Sequence, residues 1–384
     1  MKVLSISTDI NIFKEESAVL TRMMEYGSFF DEFHIIIFTK RSFSFRDRKF
    51  KGEKISSNVW IYPTNSWTKF HYIKDAVRLG NKIIKDRNFE KTNDVITVQD
   101  PFETGLVGLK LKELFSLPLH VQIHTDFLSP YFKNHSHLNK VRIAISRKVL
   151  GSANAVRVVS NRIKRSLEEG KLTKAPIEVV PIFVDIKAIS EAVPRVSLAK
   201  KYPQFNFIIL VASRLSSEKN IPLALEMMSR LIKKYPRVGL IIVGDGKEKN
   251  KLVSMVRKLD LERNVIFEHW QDDIISYYKT ANMFLSTSEY EGYGLSMVEA
   301  VAAHCPTVAT DAGVAPDLLH DGKSFVCPVG NAECLFNNVK LLIEDTSLRK
   351  RYEFESFDNL DKITFSSNDE YLNKYKESIK SAIS

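Results

Sequence analysis

The sequence predicts an α/β protein made of two Rossmann-like domains whose parallel sheets face one cleft. Three observations carry that expectation: the length, an alternation of short apolar runs with amphipathic stretches, and a restart of that alternation at mid-chain. At 384 residues the chain exceeds one ordinary core and suits two domains. In the first half, apolar runs suited to buried strands fall at 3–6, 34–38, 59–62, 95–98, 119–123 and 155–159. Stretches 69–87, 103–115 and 138–150 between them are amphipathic, and such alternation builds a parallel sheet covered by helices. The run 177–184, with Pro181, closes this domain, and the mixed polar stretch 185–202 reads as a linker. The pattern then restarts, with apolar runs at 207–211, 239–243, 265–267, 283–285 and 307–309 and helical stretches at 220–234 and 247–259. The expected division is a first domain over 1–185 and a second over 186–365. Residues 366–384 form a charged helix able to pack back across the hinge.

Composition narrows the function classes. The N-terminus reads as a strand, lacking the apolar core and cleavage site of a signal peptide, and no apolar run has the length of a membrane span. Three cysteines, Cys305, Cys327 and Cys334, lack C-x-x-C spacing, which predicts neither disulfide nor structural zinc and makes the cytosol the default. The net charge of +10 suits nucleic acid, anionic lipid or an anionic small ligand. No helix-turn-helix, zinc-finger or RNA-binding signature is present, so nucleic acid is set aside.

Residues 283–300 are the most informative stretch. An apolar strand ends in Ser286, Thr287 and Ser288. A turn with Gly292 and Gly294 follows, then a helix from Leu295 carrying Leu295, Met297, Val298 and Val301 inward and Glu299 one turn in. Both glycines are expected at positive φ, and the free N–H groups of the helix start favour an anion in the turn. In α/β folds this carboxyl edge of a parallel sheet is where ligands bind. Arg214 and Lys219 follow the strand 207–211 on another loop of that edge. Arg suits bidentate phosphate contact and Lys a point charge, although two solvated loop cations are the plainer alternative. Gly244 and Gly246, in Val243-Gly-Asp-Gly246, make a further glycine corner. Trp270, just beyond the 265–267 run, is a candidate wall for a nucleobase. Glu291 and Glu299 could form a glycosidase pair, but helical rise would hold them roughly 12 Å apart. Nearby positive charge should keep both ionised, so they read as acceptors for sugar and ribose hydroxyls.

Taken in chain order, Arg214-x4-Lys219, Val243-Gly-Asp-Gly246, Glu291-x7-Glu299 and the segment 299–309 resemble the family-4 retaining glycosyltransferases. The resemblance is carried mainly by 205–330. It implies the GT-B fold and transfer of a sugar from a nucleotide diphosphate, such as a uridine or guanosine diphosphate sugar. The acceptor would be a glycan, a lipid-linked sugar or a small molecule. It implies that Arg214 and Lys219 neutralise the diphosphate, that Glu299 holds the ribose and that Glu291 holds the transferred sugar. The backbone of Tyr293, Gly294 and Leu295 would donate to sugar and phosphate oxygens, with no metal and no cofactor beyond the donor substrate. Asp272 and Asp273 open a helix, where acidic residues suit the dipole. His124, after the 119–123 strand, resembles the family's histidine near the reacting centre, with Asp126 beside it. The sequence departs from the family pattern in the loop 9–16, at Ile182 and Phe183, at His304 and at Val314. A sugar-nucleotide epimerase, a glycan phosphorylase and a non-catalytic glycan-binding relative remain alternatives.

Segments 40–54 and 67–74 interleave cations with Phe43, Phe45, Phe50, Trp67 and Phe70. They suit an anionic membrane surface, which would place a cytoplasmic enzyme peripherally on the inner face of a membrane. A solvated loop is the alternative.

Overall fold

The computed structural model describes residues 1–41, 53–319 and 325–383. They divide into two compact units: Met1–Val180 with Asp369–Ser384, and Pro181–Asn368.

The first unit holds strands β1 (Lys2–Ser7), β2 (Glu32–Ile37), β3 (Glu53–Lys54), β4 (Val59–Pro63), β5 (Val95–Val98), β6 (Leu119–Ile123), β7 (Ala155–Val158) and β8 (Ile177–Val179). Its helices are α1 (Ala18–Gly27), α2 (Tyr72–Asp86), α3 (Glu103–Phe115), α4 (Pro130–His135), α5 (His137–Gly151) and α6 (Asn161–Glu169). The strands form one sheet in the order β3-β4-β2-β1-β5-β6-β7-β8. All described neighbours pair in parallel except β3 with β4. Strands β5, β6 and β7 are buried along their whole length, as expected of central strands covered on both faces. Ser17, Ser136 and Ser160 cap α1, α5 and α6 by accepting from the amide three residues on. Within the run 177–184, read as the close of the first domain, the strand β8 covers Ile177–Val179 and the chain enters the other unit at Pro181. The segment 40–54 lies largely outside the described residues, which omit 42–52.

The second unit carries α7 (Ile186–Glu191), α8 (Leu198–Lys201), α9 (Ile221–Leu231), α10 (Lys249–Lys258), α11 (Ile274–Thr280), α12 (Leu295–Ala302), α13 (Ala315–Leu318), α14 (Ala332–Glu344) and α15 (Thr346–Asp358). Its strands are β9 (Phe207–Ala212), β10 (Val238–Val243), β11 (Val265–Glu268), β12 (Met283–Ser286), β13 (Thr307–Thr310) and β14 (Val326–Cys327). They pair in parallel in the order β11-β10-β9-β12-β13-β14. The chain moves outward from β9 to β11, then returns to the other side of β9 with β12. That reversal is a topological switch point, which sets the loops after β9 and β12 side by side at the carboxyl edge.

Three expectations are corrected here. The stretch 185–202 is not a plain linker: Asp185 and Ser197 cap α7 and α8, and Ile189 and Leu198 are buried in the second unit. Leu295 does not point inward but is 40% exposed, because the first residue of α12 precedes its packed face. Cys327 and Cys334 are joined in a disulfide, with Cα atoms 5.8 Å apart. The bend from β14 into α14 brings together sulfurs that sequence spacing gave no reason to pair, and the cytosolic default loses its cysteine argument.

The last helix, α16 (Asn368–Lys380), belongs to the first unit from Asp369 onward. It lies over polar residues of β6 and β7. His120 meets Thr97 Oγ1 at 2.8 Å through Nδ1 and Ser378 Oγ at 3.0 Å through Nε2. The Gln122 amide donates to Thr97 Oγ1 at 3.0 Å and Tyr375 OH at 3.3 Å. The buried Arg157 guanidinium donates to Gln122 Oε1 at 2.8 Å and to the Val180 carbonyl at 3.0 Å, and lies 5.0 Å from the Tyr375 ring centroid. Tyr26 and Tyr371 share a hydroxyl–hydroxyl contact beside it. Removing α16 would leave these buried groups short of partners, at about 1–3 kcal/mol each. A chain ending at Asn368 is expected to lose hydrogen-exchange protection in β6 and β7 while β9 and β10 keep theirs; unchanged protection in β6 would show that α16 is dispensable to the first unit.

Candidate active site

The loops after β9 and β12 meet at the switch point of the second sheet. The Glu289 amide donates to the Glu218 carbonyl at 2.8 Å, and Thr287 Oγ1 donates to the Lys219 carbonyl at 2.8 Å. Through side chains, Lys219 Nζ donates to Glu291 Oε1, which also accepts from Ser288 Oγ at 2.8 Å. Two residues that the sequence placed in one site are therefore in direct contact. Arg214 stands on the same loop with its side chain 75% exposed, 3.4 Å from Glu218. Burial pushes the Glu218 carboxyl up, but the Ser216 hydroxyl at 2.5 Å and the charges of Arg214 and Lys219 bring it below its ordinary value.

The turn into α12 is fixed by backbone contacts. Among the described glycines, positive φ falls at Gly244, Gly294, Gly313 and Gly330, so the expectation holds for Gly294 (φ 101°) and is corrected for Gly292. One left-handed residue suffices to swing the chain into the helix. Tyr293 is pinned at both ends: its hydroxyl donates to the Ile363 carbonyl at 2.9 Å, and its carbonyl accepts from the Val314 amide at 2.9 Å. Tyr293 is buried as a whole residue. The N–H groups of Tyr293, Gly294 and Leu295 donate to no protein acceptor among the described residues, as expected at a helix start.

Glu299 lies one turn along α12 and accepts from Tyr278 OH at 3.2 Å. Burial raises its pKa from the ordinary 4.5, against the smaller opposing effect of that hydrogen bond. The expectation that nearby cations hold both glutamates ionised is thus corrected for Glu299. Its described partner is a neutral phenol, and desolvation dominates.

The glycine corner after β10 packs against the loop after β9. Gly244 has φ 142°, and a Cβ there would stand 2.0 Å from the Ser213 carbonyl oxygen. Asp245, at that corner, accepts from the Trp270 amide at 3.2 Å and meets His269 Nδ1 at 3.1 Å. The Trp270 ring is 68% exposed at the carboxyl edge beyond β11. Asp273 caps α11 by accepting from the Ser276 amide, the helix-opening role that its position predicted.

Two departures from the family pattern have local explanations. His304 adopts φ 57°, the left-handed conformation that glycine enters freely, and stacks on Phe357 with ring centroids 4.2 Å apart. At the turn after β13 only Gly313 needs to be glycine: φ is 58° and a Cβ would come 2.3 Å from the Tyr293 carbonyl oxygen. Val314 has ordinary φ and is buried, so a side chain fits there.

In the first unit, His120, Gln122 and His124 share one face of the β6 line. His124 stands just past the strand end, with more than a third of its surface accessible. Desolvation, followed by the charges of Arg157 and Arg22, pushes its pKa down, to about 3. The imidazole is therefore neutral at physiological pH. Asp126 is buried, and desolvation raises its pKa. Sequence reasoning missed Asp100, which follows β5 at the switch point of this sheet. Burial pushes its carboxyl up to about 6, while Oδ1 accepts from the Phe102 amide at 2.7 Å. It also missed Tyr278, Thr287 and Ser288. The only sequence signal for the last two was that the apolar run turns polar at its end, and the structure shows both buried.

Comparison with known proteins gives two family matches. Residues 199–356 match the model described as glycosyl transferases group 1, and residues 34–188 match that of glycosyltransferase family 4. The chain belongs to the family-4 glycosyltransferases. Over 379 residues it is 23% identical to an uncharacterized glycosyltransferase of Methanocaldococcus jannaschii, covering 88% of this chain and 92% of that one. Among solved structures, sucrose-phosphate synthase of Thermosynechococcus elongatus superposes with a TM-score of 0.80 at 17% identity, over 98% of each chain. HepE of Anabaena, in complex with UDP and glucose, does so with a TM-score of 0.74 at 21% identity, over 99% of this chain and 100% of that one. These likenesses show the GT-B fold, and the chain is a glycosyltransferase by family.

Two stability tests follow from this geometry. Gly244→Ala is expected to cost about 2 kcal/mol or more, because its Cβ has backbone rather than a flexible side chain to displace. A variant unfolding in denaturant within error of the parent would show that the corner can relax. Glu299 carries the opposite expectation. A carboxyl whose folded pKa is raised favours folding fully below its unfolded value and loses that contribution as pH rises through the folded value. Glu299→Gln should therefore raise the melting temperature at neutral pH, and the gain should vanish below about pH 4.5, where the native carboxyl is also neutral. Loss of stability at neutral pH would contradict the burial argument.

Proposed function

We propose that this glycosyltransferase moves a sugar from a uridine diphosphate sugar to a hydroxyl of a glycan, lipid-linked or small-molecule acceptor, with retention of configuration and without a metal. The observation that carries the reading is the meeting of Lys219 and Glu291 beside the free amides that begin α12. The uridine nucleotide is taken from HepE, which is bound to UDP and glucose. Lys219, Arg214 and the helix start supply fixed positive charge where the leaving diphosphate gains negative charge, the kind of stabilisation that is worth most in a transition state. Glu291 accepts from hydroxyls of the transferred sugar and Glu299 from the ribose, while Trp270 and the Gly244 corner border the base. The bond from the anomeric carbon to the diphosphate oxygen breaks, and the acceptor oxygen bonds to that carbon on the same face. The acceptor proton passes to the departing diphosphate. The second unit is read as the nucleotide-sugar domain and the first as the acceptor domain, with neutral His124 as a hydrogen-bonding group of the reaction. The 67–74 segment, with Trp67 and Phe70 exposed, is read as a contact with an anionic membrane surface, which makes a peripheral position on the inner face of a membrane part of the proposal.

The test combines ligand-induced stabilisation with transfer assays. UDP should raise the melting temperature more than GDP or ADP. Lys219→Ala and Glu291→Ala should each lower transfer by about a hundredfold or more while leaving circular dichroism unchanged. Near-normal transfer by both variants would remove the site assignment. Conversion of the donor sugar with no acceptor present would favour an epimerase.

A further inference from the structure

The disulfide between Cys327 and Cys334 lies outside the donor site, and its two sulfurs have unlike surroundings. Cys327 ends β14 and is fully buried in the apolar core of the second unit, whereas Cys334 is only half-buried. Cys334 is the third residue of α14, a 13-residue helix whose cap Asn331 accepts from the Cys334 amide at 2.9 Å. A sulfur in the first turn of a helix sits at the positive end of the dipole, which favours its thiolate. The neighbouring carboxylate, Glu333, is paired with Arg230 at 2.8 Å. One turn on, the Asn338 side-chain amide donates to Cys327 Sγ at 3.3 Å and reaches Cys334 Sγ at 3.8 Å. That amide has no other partner among the described residues. Aimed at a neutral disulfide such a donor contributes little, but toward a thiolate the bond becomes charge-assisted and roughly twice as strong. The bridge is also linked to the donor site. Cys327 pairs in register with Thr310 of β13, and its carbonyl accepts from the Asp311 amide at 2.8 Å. Thr310 Oγ1 donates to the Ser288 carbonyl at 2.6 Å, and Ser288 Oγ donates to Glu291 at 2.8 Å.

We propose that Cys327 and Cys334 form a reversible thiol–disulfide exchange site for a low-molecular-weight thiol, and that the oxidised bridge strengthens nucleotide binding at the donor site. Access assigns the roles. The incoming thiolate attacks the sulfur of half-buried Cys334. A new S–S bond forms there as the Cys327–Cys334 bond breaks, and the electron pair leaves on Cys327 Sγ, which the Asn338 amide already meets. A second thiolate then attacks the small thiol's sulfur in that mixed disulfide and releases the Cys334 thiolate. Two small thiols are thus oxidised to one disulfide, their two protons pass to solvent or to the freed cysteine sulfurs, and the protein bridge is reduced. In the reverse direction the Cys334 thiolate attacks the small disulfide, and Cys327 resolves the mixed species. Cys305 does not compete, because it is buried and burial pushes its thiol up. The consequence for binding follows from β14, a two-residue strand at the edge of its sheet. So short an edge strand has little order of its own, and opening the bridge removes its covalent tie to α14. The loosening passes through Thr310 and Ser288 to Glu291 and its partner Lys219. This second part rests on the reading of Lys219 and Glu291 as donor contacts, whereas the exchange chemistry does not.

The test oxidises the full chain with glutathione disulfide and then titrates the folded protein with reduced glutathione. Mass spectrometry after alkylation follows each sulfur, and UDP binding is measured on the oxidised and reduced forms. Melting temperatures confirm that the variants fold. The bridge is expected to open in the folded protein through a mixed disulfide on Cys334. Cys327→Ser should retain that mixed disulfide, and Cys334→Ser should acquire none. Asn338→Leu should slow exchange about tenfold, the loss expected for a hydrogen bond to a charged sulfur. A bridge that resists reduced glutathione when folded, yet opens in denaturant, would be purely structural and overturns the proposal. So does glutathione mapped to Cys327. Reduction should weaken UDP binding about fivefold or more. Equal affinity of the two forms removes the coupling to the donor site. Failure of the oxidised form to bind UDP would count against the donor reading instead, while the mass measurements still decide the exchange site.

Discussion

The contact between Lys219 and Glu291 is the constraint on which the second unit's carboxyl edge depends. Each side chain is less than a fifth exposed, so neither charge is fully hydrated, and each compensates the other without ligand. Leaving one alone in that position would cost several kcal/mol, which is why such pairs are costly to break even where they add little net stability. The contact also sets geometry. With Thr287 on the Lys219 carbonyl and Glu289 on the Glu218 carbonyl, it sews two loops from adjacent strands into one surface. Under the proposed function, a phosphate at Lys219 would meet an ammonium already oriented by Glu291, and a sugar hydroxyl at Glu291 would meet a carboxylate already oriented by Ser288. Such a site needs little rearrangement to bind, the condition under which fixed charge is most useful to a transition state.

Around that pair the edge is shaped by backbone rather than side chains. Gly244 and Gly313 are glycines because a carbonyl oxygen occupies the place a Cβ would take, and Gly294 because the chain must turn left-handed into α12. Crowding of this kind draws the amide groups of adjoining loops toward one space. It also explains which departures from the family pattern are tolerated. Val314 has ordinary dihedrals and fills a buried gap, while His304 keeps a glycine-like φ and gains a stacking partner in Phe357. Glu299 is the counterpart in side chains: a half-buried carboxyl is a cost to the free protein, and the proposed function gives it a ligand to serve.

The first unit is organised by a buried cation. Among the described residues, Arg157 has no carboxylate paired with it. Its guanidinium is satisfied by the Val180 carbonyl, by Gln122 and by the faces of tyrosines from α16. This arrangement makes the C-terminal helix part of the first unit and places positive charge behind the strand that ends at His124, which helps to keep that imidazole neutral.

Much of this could be read from residues in order. The apolar runs and amphipathic stretches determined the two α/β units, since burial of a strand or a helical stripe depends on local period. The turn before α12 and the place of the cations after β9 were legible because each follows the end of an apolar run, although only Gly294 of the two glycines has positive φ. Three things were decided only in three dimensions. The disulfide depended on the bend from β14 to α14, which no spacing rule encodes. The contact between Lys219 and Glu291 joins residues 72 apart in sequence, and only the strand order that sets β9 beside β12 brings them together. The protonation tendencies of Glu299, Asp100 and His124 came from burial, a property of the packed surroundings rather than of the residue. Sequence determines which groups are available and where each lies along its own element; neighbourhood and desolvation belong to the fold, because they depend on what the rest of the chain places nearby.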